Sequence, residues 1–562
     1  MVMATIDSTI MLIALPDIFQ GIHLDPLQPG NSFYLLWMIL SFMVVSSVLV
    51  VSLGRLGDMH GRVHMYNLGF AVYTVSSLLL TVCWLTGAQG ALYLVGMRVV
   101  QGIGAAFIVA NSAAILTDAF PATQRGLALG INNVAGISGS FIGLVLGGIL
   151  GPINWRLVFL VSVPFGLAGT LWAFFMLREL GIHRRAHIDW PGNISFAVGL
   201  VLVMIGITYG IQPYGGHSMG WTSPYVDSEL GVGIALLTAF AIIETRVAEP
   251  MFRLGLFKIR AFTAGVLSSF LSAVARGGLM FMLVIWLQGI WLPEHGYSFA
   301  STPLWAGIFM LPLTAGFLLA GPISGILSDR FGSRPFATGG MIGAALTFGL
   351  LELLPLNFSY WQFGLILFLN GLAMGAFAAP NRAGVMNSLP AEHRGAGSGM
   401  NSTFQNSAQV LSIGVFFTLV IIGLSGSLPG AMEQGLVHAG VPLQPAILAS
   451  HLPPITSLFA AFLGYNTMAH LYATGALGVL HPATVAVITS RSFFPSLITA
   501  PFGSGLHVAF DFALGGCLVA ALASWSRGGR YVHGDAGTSP ETNQEPFAEQ
   551  AAREAAPVET AR

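Results

Sequence analysis

Fourteen stretches of this chain are each about twenty residues long, apolar almost throughout and nearly free of charge, which is the length an α-helix needs to cross a bilayer. They fall near 2–20, 33–57, 63–85, 89–116, 124–150, 154–177 and 189–211, and then near 229–245, 261–287, 303–328, 334–356, 360–380, 399–424 and 502–525. In hydrocarbon no water is available to backbone N–H and C=O groups, so each segment must satisfy its own, and a helix does this. Only 8% of the 562 residues are charged, where a soluble domain carries roughly 25% to cover its surface. The chain reads as an all-α integral membrane protein.

The positions of the arginines test the helix count independently. Arg55 and Arg62 lie between the second and third runs, Arg125 between the fourth and fifth, and Arg178, Arg184 and Arg185 between the sixth and seventh. Arg246, Arg253, Lys258 and Arg260 follow the eighth run, Arg330 and Arg334 the tenth, Arg382 and Arg394 the twelfth, and Arg527 and Arg530 the last. Loops of opposite parity, such as 21–32, 84–90, 213–228, 288–302 and 355–360, hold no Lys or Arg, with Arg156 and Arg491 as near exceptions. That alternation predicts a cytoplasmic location for both termini. The stretch 425–501 is long for a loop, and its apolar patch at 455–480 is broken by Gly464, Asn466, His470 and Gly475. It reads as an outer domain or an interfacial helical hairpin rather than as two further spans.

Several function classes drop out. A formal net charge of −1 offers no basic field for nucleic acid. Cys83 and Cys517 make neither a disulfide framework nor a metal site. No phosphate-binding loop, His-Glu-x-x-His pair or G-x-S-x-G elbow occurs, so neither ATP-driven transport nor intramembrane hydrolysis is supported, and no cofactor is implied. No cleavable signal peptide is visible.

The chemistry-bearing residues are few. The second–third loop reads GRLGDMHGRVHMY over 54–66, where Gly54 and Gly61 permit a tight turn and Asp58 and Arg62 stand at adjoining helix ends. A related copy, GILSDRFGSR over 325–334, places Asp329 and Arg330 in the second half. Two copies in corresponding halves are what an internal repeat predicts. The fourth run holds RVVQGIGAAF (98–107) and the first IDSTIMLIALP (6–16). Inserting Arg98 alone costs at least about 2.5–3.5 kcal/mol, so it needs a partner, and Asp7 is the obvious acid. The pair reads either as a lock between two helices or as a protonation switch. In the fifth run Gly136, Gly139, Gly143 and Gly147 mark one smooth face for close packing. Arg276, Glu352 and Asp511, with His507 beside the last, are further candidate buried charges.

The G-x-x-x-D-x-x-G-R spacing at 54–62 and its second copy resemble the signature loop of the major facilitator superfamily. The Asp7 and Arg98 segments, the glycine-rich GISGSFIGLVLGGIL (136–150) and WRLVFLVSVPFG (155–166) resemble motifs of its fourteen-helix drug:proton antiporters, the EmrB/QacA-like group. Two departures stand out. The group's Gly-Pro is Gly143-Leu144 here, and Asp7 stands closer to the first residue than in the family.

The resemblance implies a major facilitator fold of two six-helix bundles with two inserted helices. Residues 1–180 would form the first bundle, 181–250 the inserted pair, and 251–533 the second bundle with the outer segment 425–501. Residues 534–562, rich in Glu, Ala, Pro and Thr, would be a disordered cytoplasmic tail. It further implies proton-coupled export of amphipathic small molecules across the cell inner membrane by a monomer. Asp7 and Arg98 would couple the protons, and the loop residues Gly54, Asp58, Gly61, Arg62, Asp329 and Arg330 would latch the cytoplasmic side. Export of one native metabolite or lipid, and a membrane sensor that does not transport, are the alternatives.

Overall fold

A computed structural model describes residues 2–528 except 29, 121, 180–188, 216, 218, 248–249, 251 and 391–393. Arg184, Arg185, Arg530 and the expected tail at 534–562 lie outside the described residues, as do the side chains of Arg125, Asp329 and Arg394.

Fourteen long helices follow one another among the described residues. The first six are α1 (Val2–Gly21), α2 (Asn31–His60), α3 (Arg62–Thr81), α4 (Gly87–Ala119), α5 (Ala122–Ile153) and α6 (Arg156–Met176, with a one-residue break at Val161). Next come α7 (Trp190–Gly210) and α8 (Pro224–Glu244). The last six are α9 (Arg260–Glu294), α10 (Thr302–Phe331, broken at Met310), α11 (Ser333–Glu352), α12 (Tyr360–Asn387), α13 (Arg394–His438) and α14 (Phe493–Trp525). Twelve of these are long and apolar enough to cross a membrane. The other two, α5 and α11, stand in series with them.

Lipid gives helices no hydrophobic reason to associate, so contact depends on how closely backbones approach. In the first six helices α1 packs on α5, α2 on α4, and α3 on α4 and α6. In the last six α10 packs on α12, α11 on α12 and α14, and α13 on α9 and α14. The helices α7 and α8 form a pair that touches α2 and α13. The two sets of six meet through α2 and α13 and through α5 and α10, where Gly148 abuts Leu304 and a Cβ on Gly307 would stand 2.9 Å from the Leu144 carbonyl oxygen. Near the same end, a π-helical turn at Leu287–Trp291 in α9 buries Gln288, whose Nε2 donates to the Ile13 carbonyl at 3.4 Å. The Gly148–Leu304 and Gln288–Ile13 contacts lie at the ends of the helices remote from the 54–66 and 325–334 loops.

The segment between α13 and α14 is shorter than the expected 425–501. α13 continues to His438 because Leu424, Leu428, Met432 and Leu436 recur every fourth residue and are all fully buried. α14 begins at Phe493, nine residues before the apolar run suggests. Between them lie four helices of only 8, 9, 7 and 7 residues: Leu443–Ser450, Pro454–Phe462, Thr467–Ala473 and Pro482–Ile488. Pro454–Phe462 is buried along its whole length, with Phe459 stacked on Phe417 of α13 at 4.8 Å. Its apolar face is spent on protein, not on a membrane interface.

Candidate functional site

The site begins with the glycine face of α5. A Cβ on Gly139 would stand 2.7 Å from the Val2 carbonyl oxygen, and one on Gly147 would stand 2.9 Å from that of Ile10. Between them Gly143 lies directly against Ile6 and Thr9. Gly136 has more room, its nearest neighbour being Thr5 Cγ2 at 3.9 Å from a notional Cβ. Three of the four predicted glycines therefore hold the α1 backbone tight against α5, and the Thr9 hydroxyl adds a hydrogen bond to the Ser140 carbonyl at 3.0 Å. No proline kink is needed for this contact, which accounts for the tolerance of Leu144.

Seated this way, α1 turns Asp7 toward α4. Asp7 Oδ2 accepts from Arg98 Nη1 in an ion pair whose side chains are each 1% exposed. Gln101, one turn beyond Arg98, joins both: its Oε1 accepts from Arg98 Nη1 at 2.6 Å and its Nε2 donates to Asp7 Oδ1 at 3.2 Å. Gln101 Nε2 also donates to the Ser77 hydroxyl of α3 at 2.8 Å. Arg98 Nε donates to the Met38 carbonyl of α2 at 3.3 Å, and its guanidinium lies over the Phe42 ring at 4.4 Å. Four helices thus converge on one carboxylate. Sequence reasoning quoted Gln101 inside its motif without assigning it a part. Its i, i+3 spacing from Arg98 was the available signal.

At the loop, Gly61 adopts φ +101°, a conformation that L side chains rarely enter. That turn brings Arg62 onto Asp58 at 2.7 Å and onto Asp118 of α4 at 2.7 Å. The backbone N–H groups of Arg62 and Val63, which open α3, donate to the Glu179 carboxylate beyond α6 at 3.2 and 2.9 Å. Arg55 donates to the Pro250 carbonyl in the α8–α9 connection. Gly54 faces Ala110, with 3.6 Å from a notional Cβ to that methyl. Asp118 and Glu179 lie far from the loop in sequence, and pattern reading passed over both.

In the second copy Gly332 repeats the turn at φ +87°. Arg330 is exposed at the end of α10, and Arg334 stacks over Trp525 at 4.1 Å.

Two of the candidate buried charges are corrected. Asp511 is exposed on the outward stripe of α14 that also carries Phe512, Leu518 and Val519. Glu352, at the end of α11, is 31% exposed and lies 3.7 Å from His507, itself 51% exposed. A helix's last residue can reach the interface without disturbing packing, which explains Glu352. Arg276, midway along α9, lies 5.9 Å from the Phe317 ring of α10. Asp17 was not anticipated. It stands on α1 beside Gly151 of α5, with a buried Oδ2 that accepts no hydrogen bond.

Two sets of six long membrane helices, with a buried ion pair inside the first set, have the architecture of a polytopic transporter. The sequence matches the family model of the Major Facilitator Superfamily over residues 1–413, and the chain belongs to that superfamily. The methyl viologen resistance protein SmvA of Salmonella typhimurium is 31% identical over 458 residues, covering 80% of this chain and 87% of that protein. The riboflavin transporter RibZ of Clostridioides difficile is 25% identical over 419 residues, covering 74% and 84%. A solved bacterial homologue of the human lysosomal transporter Spinster, inward-facing and unoccupied, matches with a TM-score of 0.56 at 16% identity, over 93% of this chain and 95% of that one. At that identity the likeness speaks to the fold alone. The protein is a multi-pass membrane transporter, not an enzyme.

Proposed function

We propose that the protein exports amphipathic small molecules across the cell inner membrane in exchange for protons, by alternating access and as a monomer with both termini in the cytoplasm. The buried Asp7–Arg98 pair carries the reading. A carboxylate paired with a guanidinium away from water holds its helix fixed, and neutralising it with a proton removes the pairing. Arg98 keeps Gln101 Oε1 and the Met38 carbonyl when Asp7 is neutral, so the cation is not stranded. Helix α1 is then free to shift along the glycine face of α5. Asp58, Arg62 and Asp118 would latch the loop side in one state and release it in the other, with Asp329 and Arg330 taking that part in the second half. The division into bundles at 1–180 and 251–533, with an inserted pair at 181–250, belongs to the same proposal.

The relationship to SmvA, a methyl viologen resistance protein, supports an amphipathic or cationic cargo. A dedicated metabolite exporter is the second reading, favoured by the relationship to RibZ. Inverted membrane vesicles separate the two. An imposed pH gradient, acid inside, should drive uptake of several structurally unrelated amphipathic cations, and a protonophore should abolish it. Uptake of riboflavin alone among the panel would favour the second reading, and uptake indifferent to the gradient would remove proton coupling.

A further inference from the structure

The two glycine turns correspond residue for residue. Gly54, Asp58, Gly61, Arg62 and Val63 of the first match Gly325, Asp329, Gly332, Ser333 and Arg334 of the second. In the first half, the free N–H groups opening α3 meet the Glu179 carboxylate, supplied by the residues just beyond α6. A helix N-terminus favours an anion there, because its N–H groups are unpaired and the helix dipole is positive at that end.

In the second half the residue just beyond α14 is a cation. Arg527 is 8% exposed, and none of its three guanidinium nitrogens has a hydrogen-bond partner. Burial pushes its pKa down to about 10, which still leaves it charged near neutral pH. A Cβ on Gly384 of α12 would stand 3.0 Å from Arg527 Nη1 and 2.6 Å from Ser333 Oγ, and one on Gly265 of α9 would stand 3.4 Å from Nη2, so the guanidinium sits between α9 and α12 beside the first residue of α11. That helix has no side-chain cap. Arg334 adds a second cation whose Nε is buried without an acceptor. Three positive features converge where the first half has a carboxylate.

The surroundings indicate what supplies the missing charge. Phe331, Trp525 and Leu522 around the site are 67%, 60% and 69% exposed, an apolar rim with a tryptophan at its end. Exposed aromatics beside arginines at helix ends mark the headgroup level of a bilayer.

We propose that Arg527, Arg334 and the N-terminus of α11 form a binding site for a phosphate oxyanion supplied by the headgroup of an anionic phospholipid. The phosphate takes the place that Glu179 holds in the first half. Arg527 must swing toward the rim to reach it, which the absence of any hydrogen bond on its guanidinium permits.

Thermal unfolding of the purified, delipidated full chain tests the site. Added phosphatidylglycerol should raise Tm by mass action, and phosphatidylcholine should not. Arg527→Gln should lose the rise. Arg527→Glu, which copies the arrangement of the first half, should melt near the lipid-bound wild type and gain nothing from lipid. If Arg527→Gln does not fold, Ser333→Pro removes one N–H donor at a position that tolerates proline and should reduce the rise. Asp329→Asn should leave it in place. A full rise retained in Arg527→Gln and Ser333→Pro would overturn the site, and so would a rise lost only in Asp329→Asn. The same full rise from inorganic phosphate alone would overturn the lipid headgroup as its source.

Discussion

Charge is handled differently in the two halves of the molecule. In the first six helices two cations are paired with acids, Arg98 with Asp7 and Arg62 with Asp58 and Asp118, while Arg55 and Arg156 donate to the carbonyls of Pro250 and Cys83. In the last six, Arg276 and Arg334 meet aromatic rings, and Arg527 meets no acceptor. The backbone repeats, as the matching glycine turns at 61 and 332 show, and the described cations beside the two turns differ: Arg62 is paired with acids, while Arg334 lies over Trp525. What the two turns share is backbone geometry. In the proposed reading Asp7 and Arg98 serve proton-linked switching, and Arg527 with Arg334 holds an anion.

The largest expected effect breaks the comparison at the buried pair. Arg98→Ala strands Asp7 in a dry site and should cost about 3–5 kcal/mol of stability, whereas Arg276→Ala, which breaks no ion pair, should leave the unfolding temperature nearly unchanged. Equal losses in a thermal-shift assay would erase the distinction between halves. Next come the turns, where the halves should behave alike. Gly61→Ala and Gly332→Ala each force a side chain into the left-handed region and should cost about 1–2 kcal/mol. A large effect at one turn with none at the other would mean that the repeat is not structural.

A smaller stability effect than at the turns belongs to the loop charges. Arg62 and Asp58 are 26% and 39% exposed, so Asp58→Asn should cost about 1 kcal/mol or less. Its effect should appear in transport instead: efflux impaired at normal membrane abundance, and more so than for Asp329→Asn. Undiminished efflux in Asp58→Asn would remove the latch.

Much of this was legible in the chain because lipid simplifies the code. Apolar length alone locates helices, and the glycines at 139, 143 and 147 do pack on α1 as their spacing predicts. A buried arginine must find an acid, which is why Arg98 pointed to Asp7 before any fold was known. The partners of Arg62 were not legible, since Asp118 and Glu179 come from helix ends 56 and 117 residues away. The end of α13 was hidden for another reason. The apolar run reads as ending near 424, yet α13 continues to His438 because its buried stripe of Leu428, Met432 and Leu436 carries on. Glu352 and Asp511 show the converse: an acid inside an apolar run need not be buried, because the run does not say which face meets protein.

The central claim is that Asp7 carries the coupled proton. Proteoliposomes in which proton flux and substrate flux are recorded together test it most directly, comparing wild type with Asp7→Asn. The account predicts that Asp7→Asn, which resembles the protonated state permanently, still binds and exchanges substrate but no longer moves protons with it. Substrate efflux in Asp7→Asn that carries protons at the wild-type ratio would contradict the claim and move the coupling site to another carboxylate, with Asp17 first in line.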